Sequence, residues 1–161
     1  MELRTLAYDH DDAGALVTAL QREYVELYGG VDRTPVDPFE FAPPAGYFVA
    51  GYVAGQPVAC GGWRRHDGNH PDLLDGDAEI KRMYVVRPAR GRGHARRVLA
   101  ELERSARVAG IRRLVLETGA KQPEAISLYV SAGYTPISGF GIHRGRPLNR
   151  CFGKVLADTQ L

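Results

Sequence analysis

Val85-Val86-Arg87-Pro88-Ala89-Arg90-Gly91-Arg92-Gly93-His94-Ala95 is the stretch of the 161-residue chain whose reading decides most. It runs from the apolar end of a strand through a turn rich in glycine and arginine into the start of an amphipathic helix. Glycine lets the backbone bend tightly and approach an anion closely, and the first-turn N–H groups of a helix lack intrahelical acceptors. Arg90, Arg92 and Arg96 add positive charge. The turn therefore reads as an anion cradle. It is not a Walker loop, because no Gly-Lys-Ser/Thr follows, and the further glycine spacing and downstream acidic residue of a dinucleotide fingerprint are missing.

Outward from this turn, Ala78 to Val86 is the strand that feeds it. The helix after it, from Arg92, places Ala95, Val98, Leu99, Leu102 and Ala106 on one face and stops at Gly110. Leu114 to Glu117 is a short buried strand, and a second helix opens on Pro123, carries Ala125, Leu128, Tyr129 and Ala132 on one face and ends at Gly133. Tyr134 to Ile137 and Cys151 to Leu156 are the last strands. Upstream, Tyr47 to Val53 and Val58 to Trp63 flank a hairpin turn at Ala54-Gly55-Gln56-Pro57. Leu3 to Leu6 reads as the first strand, and Asp11 or Asp12 caps a helix that carries Leu16, Leu20, Tyr24, Leu27 and Tyr28 and ends at Gly29-Gly30. Residues 31–46 hold four prolines and read as a loop long enough to be a lid. The order is β-α-β-β-β-α-β-α-β-β, without repeat or boundary, so residues 1–161 read as one domain.

Composition agrees with a single globular unit: 44% hydrophobic and 25% charged residues, at a length that can bury a full core without staples. Two cysteines, Cys60 and Cys151, make neither a disulfide framework nor a four-ligand zinc site, and read as buried strand residues. His66, His70, Asp67, Asp72 and Asp75 lie in a polar connection and read as a solvated turn rather than a metal cluster, so no metal is expected. No apolar run reaches the ~18 residues of a membrane span, and Met1-Glu2-Leu3-Arg4 does not read as a signal peptide, so no membrane partner and a cytoplasmic location are expected. The formal charge of +2 conceals a strong asymmetry. Residues 1–80 hold 5 basic and 14 acidic side chains, residues 81–113 hold 11 and 2, and residues 114–161 hold 5 and 3.

Arg90-x-x-Gly93-x-Ala95 resembles the Q/R-x-x-G-x-G/A motif of the GNAT superfamily of acyl-CoA-dependent N-acyltransferases. Gln122-x-x-Ala125-x-x-x-Tyr129-x-x-x-Gly133-Tyr134 resembles the second half of the same core, with Gln122 where the family usually has Asn. The resemblance covers about Val58 to Val155. It implies an α/β (α+β) fold: a central mixed, mostly antiparallel sheet of six to seven strands with one parallel splayed pair and helices on both faces. It also implies acetyl-CoA as co-substrate, of the bacterial small-molecule type, with homodimers common in the family. The backbone of Gly91, Arg92, Gly93, His94, Ala95 and Arg96, together with Arg90, would hold the pyrophosphate, the His94 ring turning away. Met83, Tyr84 and Val85 would offer unpaired N–H groups to the pantetheine arm where strand 78–86 splays from 114–117, and Gln122 would contact the coenzyme.

Direct transfer needs no enzyme nucleophile: the substrate amine attacks, and the protein supplies a base, an acid and positioning. Glu79, eleven residues before Arg90, is the favoured base, at a spacing where several family members carry a catalytic glutamate. Alternation puts Glu79, Lys81 and Met83 on one face unless a bulge resets the register, and a bulge is expected. Glu117, ending the neighbouring strand, is the rival, as base or amine ligand. Tyr129 is the acid on the family pattern, and Tyr134 a packing residue. On the acceptor side stand Glu117, Tyr28 and Arg82, with His143 in the last loop. The acidic first half, including Glu23, Glu26, Asp32, Asp37 and Glu40, suits a cationic acceptor such as a polyamine or aminoglycoside, whereas Arg33, Arg82 and Arg144 suit the carboxylate of an amino acid. Non-catalytic acyl-CoA sensing or protein binding, acetylation of a protein, and nucleic-acid binding through the arginine block are the alternatives; nucleic acid is not expected as the partner.

Overall fold

The computed structural model describes residues 1–66 and 72–156. Asp67 and His70 of the polar connection lie outside the described residues. In chain order the elements are β1 (Glu2–Thr5), α1 (Asp11–Tyr28), a 3-10 turn (Pro38–Phe41), β2 (Gly46–Val53), β3 (Gln56–Arg65), β4 (Asp77–Val85), a 3-10 turn (Arg87–Ala89), α2 (His94–Val108), β5 (Arg113–Gly119), α3 (Pro123–Ser131), β6 (Thr135–Pro136) and β7 (Asn149–Val155). They form one seven-stranded sheet in the order β1-β2-β3-β4-β5-β7-β6. Only β4 and β5 are parallel.

Alternate residues of each strand feed two cores. Val49, Trp63, Ile80, Leu114, Leu116 and Phe152 pack with α2 and α3 on one face, while Phe48, Ala50, Tyr52 and Cys60 pack with α1 and Phe41 on the other. This is the period of two that the strands carry in sequence. The helices thus cover both faces, as expected. Two boundaries differ from the sequence reading. His10, not Asp11 or Asp12, caps α1, its Nδ1 accepting from the Asp12 N–H at 3.0 Å. Helix α2 starts at His94 rather than Arg92, because Gly91 and Gly93 take the left-handed φ values of +78° and +79° that turn the chain into the helix.

The site is set by two departures from regularity in β4. Opposite Gly61 the strand carries two residues, Arg82 and Met83, because Gly62 pairs with Lys81 and Cys60 with Tyr84. Arg82 sits at φ +62° in this bulge. Its effect is to reverse the alternation: Ala78 and Ile80 face the α2 core before it, Met83 and Val85 after it. Met83 is thereby removed from the face of Glu79 and Lys81. The second departure is the splay. Parallel pairing to β5 covers only Asp77, Ala78 and Glu79, so from Ile80 onward the β5-facing edge of β4 lies open.

Candidate active site

The open edge is the wall of a cleft of about 690 Å3. Apolar lining comes from Ile80, Met83, Leu116, Ala125 and Tyr129, which belong to the α2 and α3 side of the sheet. Charged lining includes Lys81 and Glu117, their strand neighbours on the opposite face, and Asp32 and His143 from the loops, together with Arg33, Arg82, Lys121 and Arg146. The cleft therefore passes through the sheet where the two parallel strands part. The gap is thus open both toward the glycine turn and toward the α1 side of the sheet.

At the glycine turn, the α2 N-terminus has no side-chain cap, and its first backbone bond inside the helix is from Arg97 N–H to Gly93 O. The N–H groups of the turn before it are left for an anion, and the space beside Gly91 and Gly93 is open. These residues fit a pyrophosphate. Arg90 and Arg87 are engaged elsewhere: Arg90 donates to Glu23 at 2.6 Å and to the Val85 carbonyl at 2.9 Å, and Arg87 pairs with Glu26 and Glu23. Arg96 donates to Ser131 at 2.7 Å. Among the described residues, seven of the eleven basic side chains of 81–113 are in ion pairs, five of them with carboxylates of residues 1–80 and two, Arg104 and Arg107, with Glu101 and Glu103 of the block itself.

The two candidate bases have opposite surroundings. Glu79 is buried, accepts from Arg64 Nε and Nη2 at 3.1 and 2.9 Å, and has His66 at 3.4 Å and Lys81 at 3.9 Å. Burial alone would raise its carboxyl, but His66, Lys81 and Arg64 outweigh that and hold it below the ordinary value. It is not among the residues lining the cleft. Glu117 does line it. Its Oε2 is buried without a hydrogen-bond partner among the described residues, and burial pushes its carboxyl above the ordinary value, with Lys81 pulling partly the other way.

Asp32 organises the charged side of the cleft. Its carboxylate accepts from Thr34 N–H and Oγ1 at 3.0 and 2.7 Å, from Lys81 at 3.3 Å and from Arg82 at 2.7 Å, with His143 Nε2 at 3.1 Å. Burial would raise it, but Lys81, Thr34 and Arg82 hold it well below the ordinary carboxylate range. Gln21 exchanges two backbone hydrogen bonds with Asp32, so α1 fixes this loop. At the other wall, Tyr28 donates to Gln122 Oε1 at 3.3 Å and lies so close over Gly119 that a Cβ there would sit 1.7 Å from its hydroxyl. Tyr129 is buried, stacks edge-on with Tyr134 at 5.7 Å, and keeps its proton because burial drives its hydroxyl upward.

Of the residues expected at the site, Tyr28, Arg82, Met83, Glu117, Gln122 and Tyr129 line one cleft, and His143 joins them. Tyr84, Val85 and the glycine turn are not among the residues that line it. Tyr134 packs, donating to Glu103 at 3.1 Å. Cys60 and Cys151 are free and buried, and burial pushes the Cys60 thiol up to about 12. Lys81 and Arg146 as cleft residues, and Arg64 as the partner of Glu79, were not legible, since all three depend on contacts between distant segments. No group of three or more His, Cys, Asp or Glu among the described residues is arranged to hold a metal, and no described helix is long and apolar enough to cross a membrane.

Residues 14–134 match the acetyltransferase (GNAT) family. The chain is 33% identical over 141 residues to a protein of Azospirillum brasilense named IAA acetyltransferase, covering 88% of each. Among solved structures, one from Klebsiella pneumoniae assigned as an acyl-CoA N-acyltransferase superposes with a TM-score of 0.77 at 28% identity, covering 97% of both chains. The fold is also shared with a ribosomal-protein-alanine N-acetyltransferase of Brucella melitensis, at TM-score 0.72 and 22% identity over 97% of this chain and 100% of that one.

Proposed function

The chain belongs to the acetyltransferase (GNAT) family and is an acyl-CoA-dependent N-acetyltransferase; on that premise we propose that it moves an acetyl group from acetyl-CoA directly to a primary amine of a small molecule, with Glu117 as proton acceptor and Tyr129 as proton donor. Acetyl-CoA supplies the activated thioester: the new N–C bond forms as the C–S bond breaks. The free edge of β4 from Ile80 to Val85 and the uncapped N-terminus of α2 hold the carrier, with Gln122 beside it. Glu117 takes the proton that the acceptor ammonium must lose before it can attack. Tyr129 gives a proton to the departing thiolate.

The observation that carries this reading is the position of Glu117, a carboxylate on the cleft wall with a buried oxygen that has no partner among the described residues. A base must be free to accept, and its proton affinity should lie near the working pH. Glu79, the residue favoured from sequence spacing, is already committed to Arg64 and is held in its charged form, so it serves better as the anchor of Arg64, His66 and Lys81. The test is release of free thiol from acetyl-CoA in the presence of a panel of amines. Turnover that collapses in Glu117→Gln and persists in Glu79→Gln is the expected result. Tight coenzyme binding with no transfer to any amine would instead mark a binding module.

A further inference from the structure

Resting on that reading, we infer that the acceptor is a zwitterion with an apolar body, a hydrophobic α-amino acid, its ammonium directed to Glu117 and its carboxylate to Arg33 and Arg146 at the cleft mouth. Both arginines line the cleft, and neither side chain has a hydrogen bond or ion pair among the described residues. They are held in place by their backbones. Arg33 follows Asp32, which is fixed by Gln21 and Thr34, and Arg146 lies in a turn closed by hydrogen bonds from Arg146 N–H to His143 O and from Asn149 N–H to Arg146 O.

The charge inventory of the cleft decides against a polyamine. Its cations are Arg33, Lys81, Arg82, Lys121 and Arg146; its carboxylates are Asp32 and Glu117. Asp32 is fully spent on Lys81, Arg82, Thr34 and His143. One carboxylate is thus left for an incoming ammonium, while two guanidinium groups are left for an incoming anion. A second or third ammonium would face these arginines with nothing to accept it. A carboxylate beside the amine satisfies both sides, and guanidinium matches carboxylate geometry bidentately. The same mouth is lined by Val31, Ile142 and Leu148, which are 47%, 51% and 44% exposed. Exposed aliphatic side chains around a polar site offer an apolar substrate the burial that water denies it.

The probes are L-leucine, its decarboxylated counterpart 3-methylbutylamine, and spermidine, with acetyl-CoA and with wild type, Arg33→Gln and Arg146→Gln. Both arginines are exposed, and the melting temperature of each variant checks its fold. The expected result is a kcat/KM for L-leucine that falls by about tenfold or more in each variant, mostly through KM, so that the leucine-to-methylbutylamine ratio drops by a similar factor. The change in that ratio cancels the difference in basicity between the two amines. Calorimetry on enzyme saturated with free coenzyme A separates this inference from the transfer reading. L-leucine should bind and 3-methylbutylamine and spermidine should bind at least about tenfold more weakly. Binding of leucine without turnover overturns the transfer reading and sustains the subsite. Turnover of spermidine or 3-methylbutylamine as good as that of leucine, or a ratio unchanged in both variants, overturns the subsite and leaves the transfer reading standing.

Discussion

Arg64 donates twice to one oxygen of Glu79, from Nε at 3.1 Å and from Nη2 at 2.9 Å, and both side chains are withdrawn from solvent. Removing one partner of a buried pair leaves the other charge uncompensated, at roughly 3 kcal/mol. Glu79→Gln should therefore lower the thermal midpoint clearly while reducing kcat by less than about tenfold, an effect smaller than loss of a general base. Calorimetric melting and steady-state thiol release read the two quantities separately. A large loss of kcat at an unchanged midpoint would return the role of base to Glu79.

The same carboxylate shapes the acid limb of stability. Glu79 and Asp32 are both held below their ordinary values of 4.5 and 3.8, so each binds fewer protons in the folded than in the unfolded state. Their contribution is fully present above those unfolded values and is lost as the pH falls through the folded ones. Denaturant midpoints measured downward from pH 6 should begin to fall near pH 4.5, and Asp32→Asn should flatten the lower part of that descent.

Glu117 has the opposite sign. Its carboxyl is raised above 4.5, so its contribution to stability is present below that value and disappears as the pH rises through the folded one. At pH 7 Glu117→Gln should be at least as stable as the parent, yet lower kcat by about a hundredfold. The acid limb of the kcat/KM profile that reports this carboxylate should vanish in the variant, leaving only the titration of the amine substrate. A variant with full activity and an unaltered profile removes Glu117 from the chemistry.

Tyr129→Phe deletes one hydroxyl from a ring packed against Tyr134. The packing is retained, so the melting temperature should change little, while kcat should fall about ten- to hundredfold with little change in KM for the acceptor. A leaving thiol of lower basicity needs less help from an acid. The defect should therefore shrink with an acyl donor whose thiol is more acidic than that of coenzyme A.

Glu23 neutralises Arg90 at the phosphate end, at 2.6 Å. Glu23→Gln removes a negative charge from the approach of a polyanion and frees the guanidinium at once. Coenzyme A should bind more tightly, by up to about fivefold at low salt for a partly exposed pair, and the gain should fade as salt is added. Isothermal titration at two ionic strengths checks both the sign and the screening.

The glycine turn and the helix start after it are legible in sequence because their causes are local: two glycines that turn left-handed, a helix start without a side-chain cap, and an apolar strand before it. The order of elements is legible for the same reason, since periodicity and glycine stops are written along the chain. What the chain does not display is which charges meet. The acidic excess of residues 1–80 suits a cationic acceptor, but Glu23, Glu26, Asp32 and Glu40 are engaged with Arg90, Arg87, Arg82 and Arg64 from other segments. Glu79 and Glu117 differ in the same way. Both are strand carboxylates among apolar neighbours, and the tertiary placement of Arg64 and His66 separates an anchored one from a free one. The β4 bulge lies between these cases. It can be expected, but its position at Arg82 and Met83 follows from the pairing with Gly61.

Helix α1 touches both ends of the cleft, through Glu23 and Glu26 at the glycine turn and through Tyr28 above Gly119, where Lys121 also donates to the Leu27 carbonyl at 3.0 Å. One rigid helix thus joins the strand-to-helix turn to the junction of β5 and α3, so a change at Glu23 or Glu26 and a change at Tyr28 act on the same element.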